Sequence, residues 1–374
     1  MAASVLLKDE LFNAQSVAKL SAEIAAVYPP FSQEDFEAEV TGSFALLELK
    51  ERITHIATCL HRYLPSEYDK AIGIIVQALP QELDPTRHDD DFGEFIYAAY
   101  GEYVARYGCT SEHLECSLEA LCEMTKRFSM EYAIRDFINA FAQETLEMLY
   151  ELSHSPNYHQ RRLVSEGLRP KLPWGKALCI DYREPLRHLD TLFDDPTRFV
   201  TRSVANHLND IAKKDAAVVI ETLKRWRASQ RAAPKEMAFI TRHALRTLVK
   251  QGHCEALEML GYAIAPDIVV EPLQIACTEV CIGEALAFEV NVQASEAVKL
   301  MIDYIIYFRT QKGTFNAKVH KLKTLTAQEG EQIHLRKKHL FKANMTTRKL
   351  YAGEHKVALQ INGKIYDEVA FLLQ

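Results

Sequence analysis

The chain has no apolar run near the ~18 residues that a membrane helix needs, and no basic segment followed by an apolar core in its opening stretch MAASVLLKDELF. Neither a membrane span nor a signal peptide is expected. Its eight cysteines (Cys59, Cys109, Cys116, Cys122, Cys179, Cys254, Cys277 and Cys281) form no C-x-x-C pair and no Cys/His set with zinc spacing. They read as thiols in a reducing compartment, with no metal or other cofactor implied. Tryptophan occurs only twice, and no aromatic recurs once per repeat, which argues against base-by-base reading of RNA.

The remainder is an ordinary globular composition, with 48% hydrophobic and 25% charged residues in 374. Length allows two or three domains, and a helical solenoid can run longer as one. The net charge of −7 conceals a gradient. Residues 1–150 carry 11 Lys and Arg against 26 Asp and Glu, residues 151–250 carry 19 against 11, and residues 251–374 carry 14 against 14. Within the last third, residues 309–349 hold 11 basic and 2 acidic side chains. A partner responds to local field more than to total charge, so two basic regions in an acidic chain fit a polyanion that touches both.

The basic middle is periodic. Arg162, Arg202 and Arg242 recur every forty residues, as do Val164, Val204 and Ala244, and Leu168, Leu208 and Leu248. Pro156 and Pro196 precede two copies at one offset, and Pro234 precedes the third. A proline ahead of an Arg-bearing amphipathic helix at this period is the mark of HEAT-type helical repeats. In the first copy Arg162, Glu166 and Arg169 share a face; in the second, Thr201 to Lys213, Arg202, Asn206, Asn209, Asp210 and Lys213 lie opposite Val204, Leu208 and Ile211. Stacked repeats would merge these polar, mostly basic faces into one concave surface. The bland account is that each arginine bridges a neighbouring carboxylate.

Earlier segments read as amphipathic helices separated by prolines. Val17, Leu20, Ile24 and Val27 form one stripe, Leu46, Leu49, Ile53, Ile56 and Leu60 the next, and Ile72, Ile75, Val76 and Leu79 a third. The acidic run His88-Asp89-Asp90-Asp91 reads as the solvated start of a helix beginning near Phe92. In Arg127 to Ile138, Ser129 is a candidate cap, with Glu131 in the first turn and a surface pair with Arg135 the plain alternative.

Near Pro266 the period switches to two. Leu286, Phe288, Val290 and Val292 alternate with polar residues, as do Leu300, Ile302, Tyr304 and Ile306, and His355, Val357, Leu359 and Ile361 precede Asn362-Gly363, a hairpin signal. Roughly seven strands in about a hundred residues predict an immunoglobulin-like sandwich. The expected fold is therefore mainly α: a HEAT-like solenoid over 1–265, then an all-β sandwich over 266–374.

Three segments, RFSMEYAIRDFI (127–138), RRLVSEGLRPKLPWG (161–175) and RSVANHLNDIAK (202–213), resemble the HEAT-repeat DNA alkylation repair glycosylases of the AlkC-like branch, over residues 1–265. The resemblance implies hydrolysis of the N-glycosidic bond of cationic alkylated bases in duplex DNA, 3-methyladenine first and 3-methylcytosine as a further candidate, without base flipping. Glu131 matches the family's catalytic glutamate and Trp174 its aromatic at the lesion. Glu166 and Asp210 take supporting roles. Arg161, Arg162, Arg169, Lys171, Arg202, Asn206, Asn209 and Lys213 become DNA contacts. Tyr132 and Asp136 depart from the family's Phe and Pro, and Asp136 adds negative charge near Glu131. The expected partner is double-stranded DNA with alkylated bases, bound by a monomeric enzyme in the bacterial cytoplasm, with no membrane or nucleotide cofactor. The alternative is a non-catalytic HEAT scaffold that binds DNA or protein through the same face.

Overall fold

The computed structural model describes residues 6–89, 91–343, 345 and 348–374; Asp90 and the first five residues lie outside that set. The chain forms two compact units, Met1–Ala244 and Leu245–Gln374.

The first unit is helical, and its caps follow from its sequence. Asn13 accepts from the Gln15 and Ser16 amides while the Ser16 hydroxyl accepts from the Asn13 amide, so the helix Ala14–Val27 opens with a closed capping box. It buries Val17, Leu20 and Ile24, but Val27, its last residue, is exposed. In the second stripe Ile56 and Leu60 are fully buried, whereas Leu46 sits in a 3₁₀ turn before the helix Leu49–Tyr63 and faces solvent. The forty-residue period is real in space. Helix Tyr158–Gly167 packs on Arg198–Ala212, which packs on Pro234–Ala244.

Two expectations for this unit shift. No helix begins at Phe92: a 3₁₀ turn at Phe95–Tyr97 leads into Ala98–Tyr107. Gly93, at φ 70°, forms a bridge with Phe128, and any Cβ there would meet the Arg127 carbonyl oxygen at 1.8 Å. The acidic run ahead of it is not a solvated helix start. His88 O accepts from the Phe199 amide at 3.1 Å, Asp89 pairs with Arg202, and Asp91 is buried.

The second unit opens with two short helices, Arg246–Lys250 and Cys254–Met259, and then strands. The second compact unit therefore takes in the two helices that precede the strands as well as the sandwich expected from residue 266. Lys299 donates to Leu260 O at 2.8 Å, Asn362 to Ala263 O at 2.9 Å, and Gly252 lies backbone to backbone on Gly363. Nine strands are described: β1 (Ile268–Val270), β2 (Gln274–Ile275), β3 (Glu279–Val280), β4 (Ala285–Ala294), β5 (Val298–Arg309), β6 (Phe315–Ala327), β7 (Gln332–Leu340), β8 (Gly353–Ile361) and β9 (Lys364–Leu373). Strand β4 carries β1 and β2 on one side and β7 on the other, while the second sheet runs β3-β9-β8-β5-β6. The alternation predicted for β4, β5 and β8 is the observed core: Leu286, Val292, Leu300, Ile302, Val357 and Ile361 are buried between the sheets. Each such side chain contributes about 1.5–3 kcal/mol of transfer free energy. Asn362 (φ 45°) and Gly363 (φ 82°) turn β8 into β9, both left-handed as a tight two-residue hairpin requires. The strands beyond the expected seven include β2 and β3, too short to show a period.

Candidate functional site

Glu131 stands in a turn just before the helix Ile134–Ala140, not inside a helical first turn. Ser129 does not cap a backbone amide. Its hydroxyl donates to Glu131 Oε2 at 3.0 Å, and Arg162 Nη1 donates to the same oxygen at 2.8 Å and to Ser129 Oγ at 3.0 Å. Both bonds to the carboxylate fall on Oε2. The Glu131 side chain keeps 14% of its surface, enough to be reached from outside.

From Glu131 a ladder of alternating charge runs inward across three elements. Arg162 lies between Glu131 and Glu166, with Nη2 3.9 Å from Glu166 Oε2. Arg169 donates to Glu166 Oε1 at 2.5 Å and to Asp210 Oδ2 at 2.9 Å, and Lys213 closes the series on Asp210 Oδ1 at 2.8 Å. Ser203 donates to Glu166 Oε2 at 2.5 Å. Burial works against a charge on Glu166, but Arg162 and Arg169, helped by the Ser203 hydroxyl, outweigh it and hold the carboxyl below its usual range. Phe199 stacks beneath Arg162, its ring centre 4.5 Å from the guanidinium carbon. Three cations thus face three carboxylates, so this face is a neutral, mostly buried network rather than a basic surface.

Arg135 makes no bond to Glu131. It is fully buried and donates to the carbonyls of Lys176 (2.6 Å), Gly167 (2.8 Å) and Arg169 (2.9 Å). Burial, and then the charge of Arg169, push it down to about 10. This side chain pins both ends of the loop that carries Trp174. Lys50 donates to Trp174 O at 2.5 Å, and Asp136 pairs with Lys176, so the added charge at 136 has its own counterion. Trp174 itself adopts φ 64°, a costly conformation for a bulky residue, and leaves its indole 60% exposed. The indole borders a cavity of about 220 Å³ shared with Leu49, Ile53, Phe95, Phe128, Ser129 and Tyr132. Burial, and then the charges of Glu131 and Glu166, push the Tyr132 hydroxyl up to about 12.

The expected DNA contacts separate by burial. Lys171 is exposed, Lys213 is partly so, and Arg202 and Asn206 are half-buried against Asp89 and His243. Arg161 instead grips Asp195 with two bonds, at 2.5 and 3.2 Å, and Arg162, Arg169 and Asn209 are buried. Arg161, Arg162 and Arg169 each pair with a carboxylate, the plain alternative for a repeat arginine. Sequence reasoning named Arg135 only as a surface partner of Glu131, and it missed Ser203 and the buried His207, whose Nδ1 donates to Ser165 O at 2.9 Å and whose burial lowers it to about 4. A serine one residue after Arg202 carries no signal until the helices are packed.

Helices stacked at a forty-residue period, a ladder of carboxylates and cations that begins at Glu131, an exposed tryptophan that shares a cavity with Ser129, and a following immunoglobulin-like sandwich together define a class: the chain belongs to the AlkC-like family of DNA glycosylases. A family described as "Uncharacterised protein YhaZ, C-terminal Ig-like domain" matches residues 269–374. The chain is 31% identical over 366 residues to the protein YhaZ of Bacillus subtilis (strain 168), covering 97% of this chain and 98% of that one. It is also similar to a solved structure, Pseudomonas fluorescens alkylpurine DNA glycosylase AlkC bound to DNA containing an abasic site analog, at 31% identity and a TM-score of 0.88 over 99% of this chain and 100% of that one.

Proposed function

We propose that this protein is a monofunctional DNA glycosylase that hydrolyses the N-glycosidic bond of cationic alkylated bases in duplex DNA, 3-methyladenine foremost and 3-methylcytosine second. The observation that carries this reading is Glu131: a carboxylate held on one oxygen by Arg162 and Ser129, at the accessible end of the ladder, with Ser129 and the exposed Trp174 lining the same cavity. An alkylated base is already positively charged and leaves readily, so the enzyme needs little general acid. What remains is to stabilise an oxocarbenium-like sugar and to present water. Oε1 of Glu131 is the oxygen available for both tasks. The indole of Trp174 offers an electron-rich face to the cationic sugar or base. Glu166 and Asp210 support from within, by holding Arg162 and Arg169 in place. Lys171, Lys213, Arg202 and Asn206 lie at or near the surface as phosphate contacts, which position DNA without reading sequence. An indole that stands out from the fold can meet a base that remains stacked, which supports excision without flipping.

The deciding experiment is release of free base from methylated duplex DNA by the purified protein beside Glu131→Gln. Wild type should free 3-methyladenine, and the variant should be slower by ~100-fold or more, the scale of one preorganised electrostatic group. Salt-sensitive DNA binding by both with no base released would replace the enzyme with a repeat scaffold.

A further inference from the structure

Away from the ladder, the fold brings together three side chains that the sequence keeps apart. Asp69 lies in the first turn of the helix Tyr68–Gln77, while His113 and Cys116 sit three residues apart at the start of the helix Leu114–Thr125. Asp69 Oδ1 is 3.1 Å from His113 Nδ1 and 3.5 Å from Cys116 Sγ, and all three ligand atoms fall within 4.8 Å of one another. His113 Nδ1 is shut off from solvent and faces Asp69 Oδ1 at ion-pair distance without a well-formed hydrogen bond. A cation shared with Cys116 would satisfy both atoms. Zinc bonded tetrahedrally to nitrogen and oxygen at ~2.1 Å and to sulfur at ~2.3 Å sets N···O edges of ~3.4 Å and S···O edges of ~3.6 Å, close to the spacings found.

The surroundings are built to hold these groups. The Tyr68 ring lies against the His113 imidazole at 4.6 Å, its hydroxyl bonds Ser117 Oγ at 2.8 Å, and Ser117 donates to Gly108 O. A Cβ on Gly108 would come within 2.0 Å of the Tyr68 hydroxyl, so the glycine lets the two helices close on each other. Glu67, Glu112 and Glu115 flank the ligands against a single Lys70, in the acidic third of the chain. That local potential favours a divalent cation. Carboxylate and thiolate together would neutralise it.

We propose that Asp69, His113 and Cys116 form a divalent-cation site of zinc type, with one nitrogen, one sulfur and one oxygen ligand and a fourth position open to water. On binding, the metal replaces the thiol proton of Cys116, which leaves to solvent. The site staples the helix Tyr68–Gln77 to Leu114–Thr125. It is independent of the proposed glycosylase chemistry.

The test uses the full-length protein, stripped with a chelator and titrated with Co²⁺. One equivalent should produce a near-ultraviolet thiolate-to-cobalt band with tetrahedral visible absorption, and Zn²⁺ should displace it. Cys116→Ser should remove the thiolate band. Asp69→Asn, at an exposed position that the fold does not depend on, should weaken affinity by more than the ~10-fold that even outer-shell losses cost, while the far-ultraviolet circular dichroism stays unchanged. No saturable band in the wild type at micromolar Co²⁺ overturns the proposal. So does a band that survives in both variants, since it would come from the exposed cysteines at 179, 254, 277 and 281.

Discussion

At the scale of single residues the two glutamates divide the work by depth. Glu131 is the reachable one, whereas Glu166 is buried between two guanidinium groups and a serine. Removing one member of a buried charge network leaves its partners uncompensated, at a cost of ~3–5 kcal/mol. Glu166→Gln should therefore lower unfolding free energy by about that amount in a urea titration at neutral pH. A change under 1 kcal/mol would mean that the ladder relaxes around the loss. The same residue sets a pH dependence. Its folded carboxyl is held below the ordinary value of 4.5, so the stability it contributes is fully present above that value and is lost as pH falls through the folded value. Urea midpoints for wild type should fall more steeply below about pH 4.5 than those of Glu166→Gln, in which this proton is absent. Spacing in the chain already placed Arg162, Glu166 and Arg169 on one face. What it could not give was the face's depth, because a ladder of opposite charges buried between helices has the same sequence as a solvated one.

At the scale of elements, the loop 168–176 is held from behind by the helix Ile134–Ala140. Arg135 donates to the carbonyls of Arg169 and Lys176 within it and of Gly167 just before it, and Asn139 donates to Ala177 O while accepting from the Cys179 amide just after it. No carboxylate pairs with Arg135 among the described contacts, so its charge is spread over carbonyl dipoles whose positions it fixes. Arg135→Met keeps the apolar stem but frees the loop. Base release should drop by ~10-fold or more through kcat, because a shift of about 1 Å in Trp174 is enough to cost that much, while affinity for undamaged duplex stays within ~3-fold. Trp226 is buried and stacked on Phe193, so a change in tryptophan emission on solvent exposure reports mainly on Trp174. Unchanged kcat with unchanged emission would leave Arg135 as a fold residue only. The cavity beside Trp174 tests flipping in a similar way. If the lesion stays stacked, Ala105→Leu, which narrows the cavity, should leave excision within ~3-fold; a lesion that enters should be slowed beyond that. The helix stripes and the Asn362-Gly363 hairpin were legible because period and turn chemistry are local. The loop was not: Arg135 is i+4 from Glu131, a spacing that suggests a surface pair, and only the packed structure shows it turned the other way toward Gly167 and Lys176.

At the scale of the whole molecule, the second basic stretch lies along two sheet edges. Strand β6 is the edge of one sheet and β7 of the other, and Lys318, Lys321 and Lys323 on β6 and Arg336 and Lys338 on β7 are exposed. Two physical accounts compete. Lysines on an edge strand discourage pairing with another chain, a common protection for an open ladder. The same row could contact the phosphates of a duplex, as the charge pattern of the sequence suggests. Replacing Lys318, Lys321 and Lys323 with Gln separates them, since each phosphate contact releases counterions and contributes ~0.9 to the slope of log K against log salt. A second DNA contact predicts a shallower slope, by ~1 to 3 for three lysines, and weaker duplex binding at low salt, with the protein still monodisperse in light scattering. Edge protection predicts an unchanged slope and a concentration-dependent rise in scattering, because the freed ladder groups would then find partners in other molecules. Base release by the variant at saturating DNA should match wild type in either case, as none of the three lysines belongs to the unit that carries Glu131.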